Sequence, residues 1–237
     1  FVISESTKSH QGDNKNLNFK IENFKKYKHK IIYTVADFQN EKDFLNHKGG
    51  ESLIEQHQRN NILNGLNKAN DNDLIILSDS DEIPDLKKIS QIKSSTKFTA
   101  FSQKMFMYKL NLQNLNESNW IGSKITKKKY IKSMQDLRNL KFKKYPFWRI
   151  DKYNQEIING GWHFSFLQSP HQILTKIKSF SHGEFNKEGV NEKNIEEKIL
   201  RNEDIFERKN KLKKVTIDNS YPDYIINNKD KLSNWII

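Results

Sequence analysis

The sequence predicts an α/β fold, a largely parallel sheet flanked by helices. Three observations carry that expectation. Short apolar runs bounded by polar residues alternate with helical periodicity through the first half of the chain. The chain has 237 residues with 15 Phe, eight Tyr and four Trp, enough aromatic surface for a substantial core in a single domain over 1–237. Cys is absent and Gly and Pro follow no period, which excludes disulfide scaffolds and collagen. The same absence removes Cys nucleophiles, thiolate zinc sites and iron–sulfur clusters.

Each element follows from its local pattern. Phe1 to Ser4 reads as a short buried strand, and Ile31 to Ala36 as a second, β-branched one closed by Asp37. From Leu53 to Asn70 the apolar residues Leu53, Ile54, Ile62, Leu63, Leu66 and Ala69 recur at helical spacing. Leu74 to Leu77 is an unbroken apolar run, the mark of a strand buried on both faces. Pro84 then suits the first turn of a helix, and Lys97 to Leu110 has β character. In the second half, Gly160-Gly161 hinges into the aromatic strand Trp162 to Phe166, Ile173 to Ser179 forms a short helix, and Glu192 to Lys214 a long charged one with Ile195, Ile199, Leu200, Ile205 and Phe206 buried. No repeat and no linker is visible.

The segment richest in chemistry is Ser78-Asp79-Ser80-Asp81-Glu82-Ile83-Pro84, set directly after the apolar run. In open α/β sheets ligands bind at the carboxyl ends of strands. Three neighbouring carboxylates repel one another, and a cation relieves that repulsion. Asp79, Asp81 and Glu82 are therefore candidate ligands for a hard ion, Mn²⁺ or Mg²⁺, which keeps open positions for phosphate oxygens. The plainer reading has Asp81 capping a helix opened by Pro84, with Asp79 and Glu82 solvated.

A second constellation is Gly160-Gly161-Trp162-His163, followed by Ser181-His182-Gly183-Glu184. A Trp face suits stacking on a sugar or base, and His163, His182 or Glu184 suit proton transfer; the alternative is a core Trp beside a satisfied His. Arg59, in the helix before the acidic strand, can neutralise a phosphate, pair with the Asp cluster or lie on the helix surface.

The formal charge is +12, from 41 Lys and Arg against 29 Asp and Glu. Only five of those cations are Arg, and the chain holds 28 Asn, so the Lys excess matches AT-rich codon usage and a microbial or viral source. Phosphate or base contacts would bring in forked guanidiniums, so the composition argues against a nucleic-acid partner. The run Lys127 to Lys129 reads as solvated. No stretch reaches the ~18 consecutive apolar residues of a membrane span, and no leader is visible, so the expectation is a cytoplasmic protein if the source is microbial. An anchor or targeting segment upstream of Phe1 would lie outside this sequence.

Several blocks together resemble glycosyltransferase family 17: FVISESTKSHQGDNKNLNF, QRNNILNGL, DNDLIILSDSDEIP, WIGSK, GGWHFSFL, KIKSFSHGEFN and YPDYIINNKDKL, with SDSDEIP and GGWHFSF the specific ones. The resemblance implies a GT-A type, Rossmann-like fold with a nucleotide-sugar donor at the sheet's carboxyl edge. It also implies metal-dependent, inverting transfer of GlcNAc from UDP-GlcNAc to a mannose or other sugar in β-1,4 linkage, as in N-linked glycan biosynthesis. Carried onto this sequence, Asp79 and Asp81 bind metal and donor diphosphate with Glu82 beside them. Arg59 is a phosphate contact, and Glu5, Gly12 and Lys15 match the first block as donor-site residues. Trp162, His163, His182 and Glu184 line the donor or acceptor pocket, with Glu184 favoured over His182 as base. Family members carry a further strand and helix ahead of the segment matched by Phe1, so the resemblance implies an N-terminally truncated catalytic domain. Two rival readings are a basic nucleic-acid-binding or metal-dependent nuclease domain, and a carbohydrate-binding module without turnover.

Overall fold

The computed structural model describes residues 1–10, 12–38, 50–142, 154–179 and 191–237. They fall into two compact units, the first mainly from Phe1–Asp73 and Lys128–Leu140, the second from Leu74–Lys127, Lys141–Ile177 and Glu184–Ile237.

In the first unit, β1 (Val2–Ser6) and β2 (Ile32–Ala36) pair in parallel, Val2 opposite Ile32 through Ser6 opposite Ala36. Phe1 is exposed, so the strand starts one residue later than its apolar run. Helix α1 (Gly50–Asn60) buries Ile54 and is tied to β1 through Ser4, whose hydroxyl donates to the Gln58 carbonyl at 2.8 Å and whose carbonyl accepts from Gln58 Nε2 at 3.2 Å. The helix does not run to Asn70. It tightens into a 3₁₀ turn over Asn61–Gly65, where Asn61 and Asn60 spend their side chains on tertiary partners, Ser4 and the Gln135 N–H. That last bond docks the short helix α2 (Met134–Asn139). The expected solvated lysines are clamps instead: Lys128 Nζ donates to the Ala69 carbonyl at 2.5 Å, and Lys129 Nζ to Asn72 Oδ1 at 2.9 Å.

The second unit is built around one long strand. In chain order it holds β3 (Leu74–Leu77), β4 (Glu82–Pro84), β5 (Phe98–Met107), β6 (Leu112–Asn114), β7 (Trp120–Lys127), β8 (Gln155–Ile157), β9 (Gly161–Ser165), α3 (Pro170–Ser179), α4 (Glu192–Leu200), β10 (Leu212–Lys214) and α5 (Asp223–Asn227). Strand β5 pairs with four others: antiparallel with β6 and β7, parallel with β8 and β9. Its side chains alternate between two cores, as the pleat dictates. Met105 and Met107 pack with Ile173 and Ile177 of α3 and Ile195 and Ile199 of α4, while Phe106 packs with Phe164, Ile217, Tyr221 and Ile225. Each such burial contributes about 1.5–3 kcal/mol.

The mixed α/β class is as expected, but the larger sheet is not mostly parallel. Its β3–β7, β5–β7, β5–β6, β6–β10 and β4–β9 pairings are antiparallel. Direction is set by connection length: β6 follows β5 through a short turn, which only antiparallel neighbours permit. Among the described residues strand β3 borders β7 alone, and it leaves Leu74 exposed, so its apolar run is not the sign of two buried faces. Pro84 ends β4 rather than opening a helix, and Asp85 caps a 3₁₀ turn over Leu86–Gln91 by accepting from Lys87 N–H at 3.1 Å. The long C-terminal helix stops at Leu200, which is exposed, because Asn202 turns left-handed (φ 58°). The turn carries Asp204 inward to accept from Tyr108, Arg208, Asn210 and the Phe206 N–H.

Candidate active site

The second unit assembles a site where β3, β4 and β9 meet. After Leu77 a tight turn closes, with the Glu82 N–H donating to the Asp79 carbonyl at 3.0 Å and Ser78 Oγ donating to Ser123 Oγ at 2.7 Å. The neighbouring carboxylates then part. Glu82 turns inward and is buried: Oε1 accepts from Trp120 Nε1–H at 2.9 Å and Oε2 from the Asp79 N–H at 3.3 Å. Asp81 stays one-third exposed, its Oδ2 lying 3.2 Å from His163 Nε2.

Strand β9 explains why these groups meet. Its antiparallel register on β4 sets His163 opposite Glu82 and Gly161 opposite Pro84. Only glycine fits at 161: its φ is +146° and a Cβ would lie 2.1 Å from the Ile83 carbonyl oxygen. His163 is buried, its ring 4.8 Å from that of Trp120, and its Nδ1 has no hydrogen-bond partner among the described residues. Burial alone would raise the Asp81 carboxyl. The hydrogen bond and charge of His163 and the charge of Lys176 outweigh it, holding Asp81 below the usual carboxylate range and ionised at neutral pH.

Asp81 borders a cavity of about 310 Å³ whose walls include Ser80, Phe164, Phe166, Gln168 and Lys176. It lies at the carboxyl ends of the parallel pair β5 and β9, the position where α/β sheets take ligands. Both strands end in strained residues: Tyr108 (φ 65°) follows β5, Phe166 (φ 52°) follows β9, and the Tyr108 N–H donates to the Ser165 carbonyl at 2.9 Å. A left-handed aromatic residue costs on the order of 1–3 kcal/mol, and such strain gathers at functional sites. Lys176 Nζ sits over the Phe166 ring, 4.6 Å from its centroid, and Gln168 Oε1 is buried with no hydrogen-bond partner among the described residues.

The other expected site residues are distributed as follows. Trp162, next to His163 in β9, faces the opposite side and donates from Nε1 to the Ser220 carbonyl at 3.0 Å. Glu5, Gly12, Lys15 and Arg59 belong to the first unit, where each has a local task. The Glu5 carboxylate accepts from Lys15 Nζ, the N–H groups of Asn18 and Phe19, and Tyr33 Oη–H, all within 3.0 Å. Burial opposes its ionisation, but these donors prevail and lower its pKa to about 2; burial and the Glu5 charge push the Tyr33 hydroxyl up to about 12. Gly12 turns the intervening loop at φ 93°. Arg59 bridges Glu55 at 2.6 Å and Gln135, joining α1 to α2. His182 and Glu184 lie outside the described residues.

Trp120, Phe166, Gln168 and Lys176 were not singled out by sequence reasoning. WIGSK marked Trp120, but only as a weak block. Nothing in a helix spaced for burial through Ile173 and Ile177 distinguishes Lys176 from other surface lysines.

The donor set limits what cation the site can take. Among the described residues no group of three or more His, Asp or Glu side chains is placed to hold a metal ion. Glu82, with both oxygens already hydrogen-bonded inside the fold, is not placed as a third ligand. One ionised carboxylate on a cavity does fit a hard ion held chiefly by substrate phosphates, as Mg²⁺ commonly is, with Asp79 beside it in the chain.

Comparison with known proteins gives the class. Residues 1–211 match a family model of sugar-transferring enzymes, so the protein is a glycosyltransferase, acting between a sugar donor and an acceptor. The chain belongs to glycosyltransferase family 17. The block Tyr221 to Leu232 lies beyond the matched span. No curated protein and no solved structure matches the chain. No helix among the described residues is long and apolar enough to cross a membrane.

Proposed function

We propose that the protein transfers GlcNAc from UDP-GlcNAc to a mannose or other sugar acceptor in β-1,4 linkage, with inversion, both units serving as one GT-A type catalytic domain over residues 1–237. The observation that carries this is the ionised Asp81 beside Lys176 on a cavity of about 310 Å³ at the carboxyl ends of two parallel strands. Asp81, with Asp79, would hold Mn²⁺ or Mg²⁺ shared with the donor diphosphate, and the ion when bound supplies Lewis-acid neutralisation of phosphate charge.

The chain's own residues do the rest. His163 orients Asp81 on the cavity, and Trp120 keeps Glu82 turned inward. Lys176 meets the charge that grows on the diphosphate as it departs. In the single displacement, the acceptor oxygen forms a bond to the anomeric carbon as the bond from that carbon to the diphosphate oxygen breaks. The bonding pair leaves with UDP, and the hydroxyl proton passes to a base, for which Glu184 is proposed before His182.

UDP release with Mn²⁺ present, measured on a panel of UDP-sugars and sugar acceptors, tests this. Asp81→Asn and Lys176→Ala should each lower kcat by about 10²–10³ without loss of the folding transition. Full activity in Asp81→Asn would end the proposal.

A further inference from the structure

A second, larger cavity of about 500 Å³ lies in the same unit, within the range of about 300–1,000 Å³ typical of small-molecule sites. Its walls include Ile83, Pro84, Lys104, Trp162, Ser220 and Tyr221. Ile83 also borders the Asp81 cavity, so the two pockets share one side chain as a wall. On β9 Trp162 borders the second cavity and Phe164, two residues on and so on the same face of the strand, borders the Asp81 cavity, while His163 points to the other face.

The wall is built and held. Trp162 is fixed by its bond to the Ser220 carbonyl, and Lys104 Nζ donates to Ser220 Oγ at 3.3 Å. At the exposed rim Lys87 pairs with Asp223 at 2.8 Å. Lys88, Lys104 and Asp85 also line the cavity, so three ammonium groups stand against two carboxylates and select no strongly charged ligand. The Tyr221 ring, packed on Phe106 in the core, gives the cavity an apolar floor. An anchored indole, apolar walls and scattered hydroxyl, amide and ammonium groups are what a neutral pyranose requires: one C–H face to stack and a rim of hydroxyls to bond.

We propose that this cavity is the acceptor site and seats a neutral pyranose of the acceptor glycan against Trp162. The acceptor role rests on the transferase reading above; the sugar-binding role stands on the cavity itself. Ser220 and Tyr221 follow the family-matched residues, so the family match does not fix which sugar enters.

The test uses the full chain and four probes: the methyl glycosides of mannose, glucose, galactose and GlcNAc, followed by saturation-transfer NMR, with UDP-GlcNAc hydrolysis measured separately. Wild type should bind at least one glycoside. Trp162→Ala should weaken that binding about tenfold or more, and Trp162→Phe should restore much of it. Ser220→Phe, which fills the cavity from an exposed position, should also abolish glycoside binding, and it covers the case in which Trp162→Ala fails to fold. Failure of every glycoside to bind wild type, or equal binding to wild type and Ser220→Phe, overturns the inference while leaving the transferase reading intact. Glycoside binding that depends on Trp162 in a protein that neither binds nor hydrolyses any UDP-sugar supports the sugar site and overturns the transferase reading.

Discussion

Two carboxylates show how the same side chain is put to opposite uses. Glu5 is consumed by structure: four donors converge on it, and its pKa falls from an ordinary 4.5 to about 2. A carboxyl whose folded pKa is depressed contributes stability that is complete above its unfolded pKa and is lost as pH falls toward the folded one. Unfolding midpoints should therefore drop as pH falls from about 4.5 toward 2, and Glu5→Gln should be less stable than wild type at neutral pH with a shallower acid dependence; calorimetry across that range checks both. Asp81 is ionised by partners too, but its side chain borders a cavity. Both residues were legible as polar positions in informative blocks. Their tasks were not, because the donors that satisfy Glu5 lie 10 to 28 residues away in the chain.

At the level of elements, β9 fixes the site. Gly161 threads between Ile83 and its neighbours at a φ that L side chains rarely adopt. Gly161→Ala should destabilise the fold by about 2 kcal/mol or more, seen as a lower urea midpoint, and should reduce donor turnover because β9 carries His163. The Gly-Gly hinge, the aromatic strand after it and the long run of β5 were readable from local pattern alone. Strand direction was not: an apolar run such as Leu74–Leu77 specifies burial but not the sense of its neighbour, and the antiparallel partner β7 lies some 50 residues on. The overlong C-terminal helix failed for a related reason. Its apolar spacing continues past Leu200 through Ile205, but the buried bonds of Asp204 with Tyr108 and Arg208 outweigh propensity there.

For the molecule as a whole, part of the +12 charge is spent on internal structure. Many lysines close loops by donating to backbone carbonyls: Lys88 to Ile158, Lys109 to Asn234, Lys128 to Ala69 and Lys229 to Ile217. A lysine with three donors and a long stem does this where short polar residues cannot reach. Affinity for UDP-GlcNAc should therefore change less than about threefold between ~50 and ~200 mM salt, whereas a protein neutralising six to ten phosphates would lose about 10³–10⁵. Titrations of UDP-GlcNAc and of a DNA duplex at the two salt concentrations separate these outcomes.

Neighbours in the chain, Trp162 and His163 point to opposite faces of β9, the indole into the larger cavity and the imidazole onto Asp81. A one-residue slip of β9 would exchange them, turning the imidazole into the larger cavity and taking its hydrogen bond from Asp81. The dipeptide order thus decides which ring steadies Asp81, so fidelity of strand pairing sets the geometry of the candidate site as much as the fold.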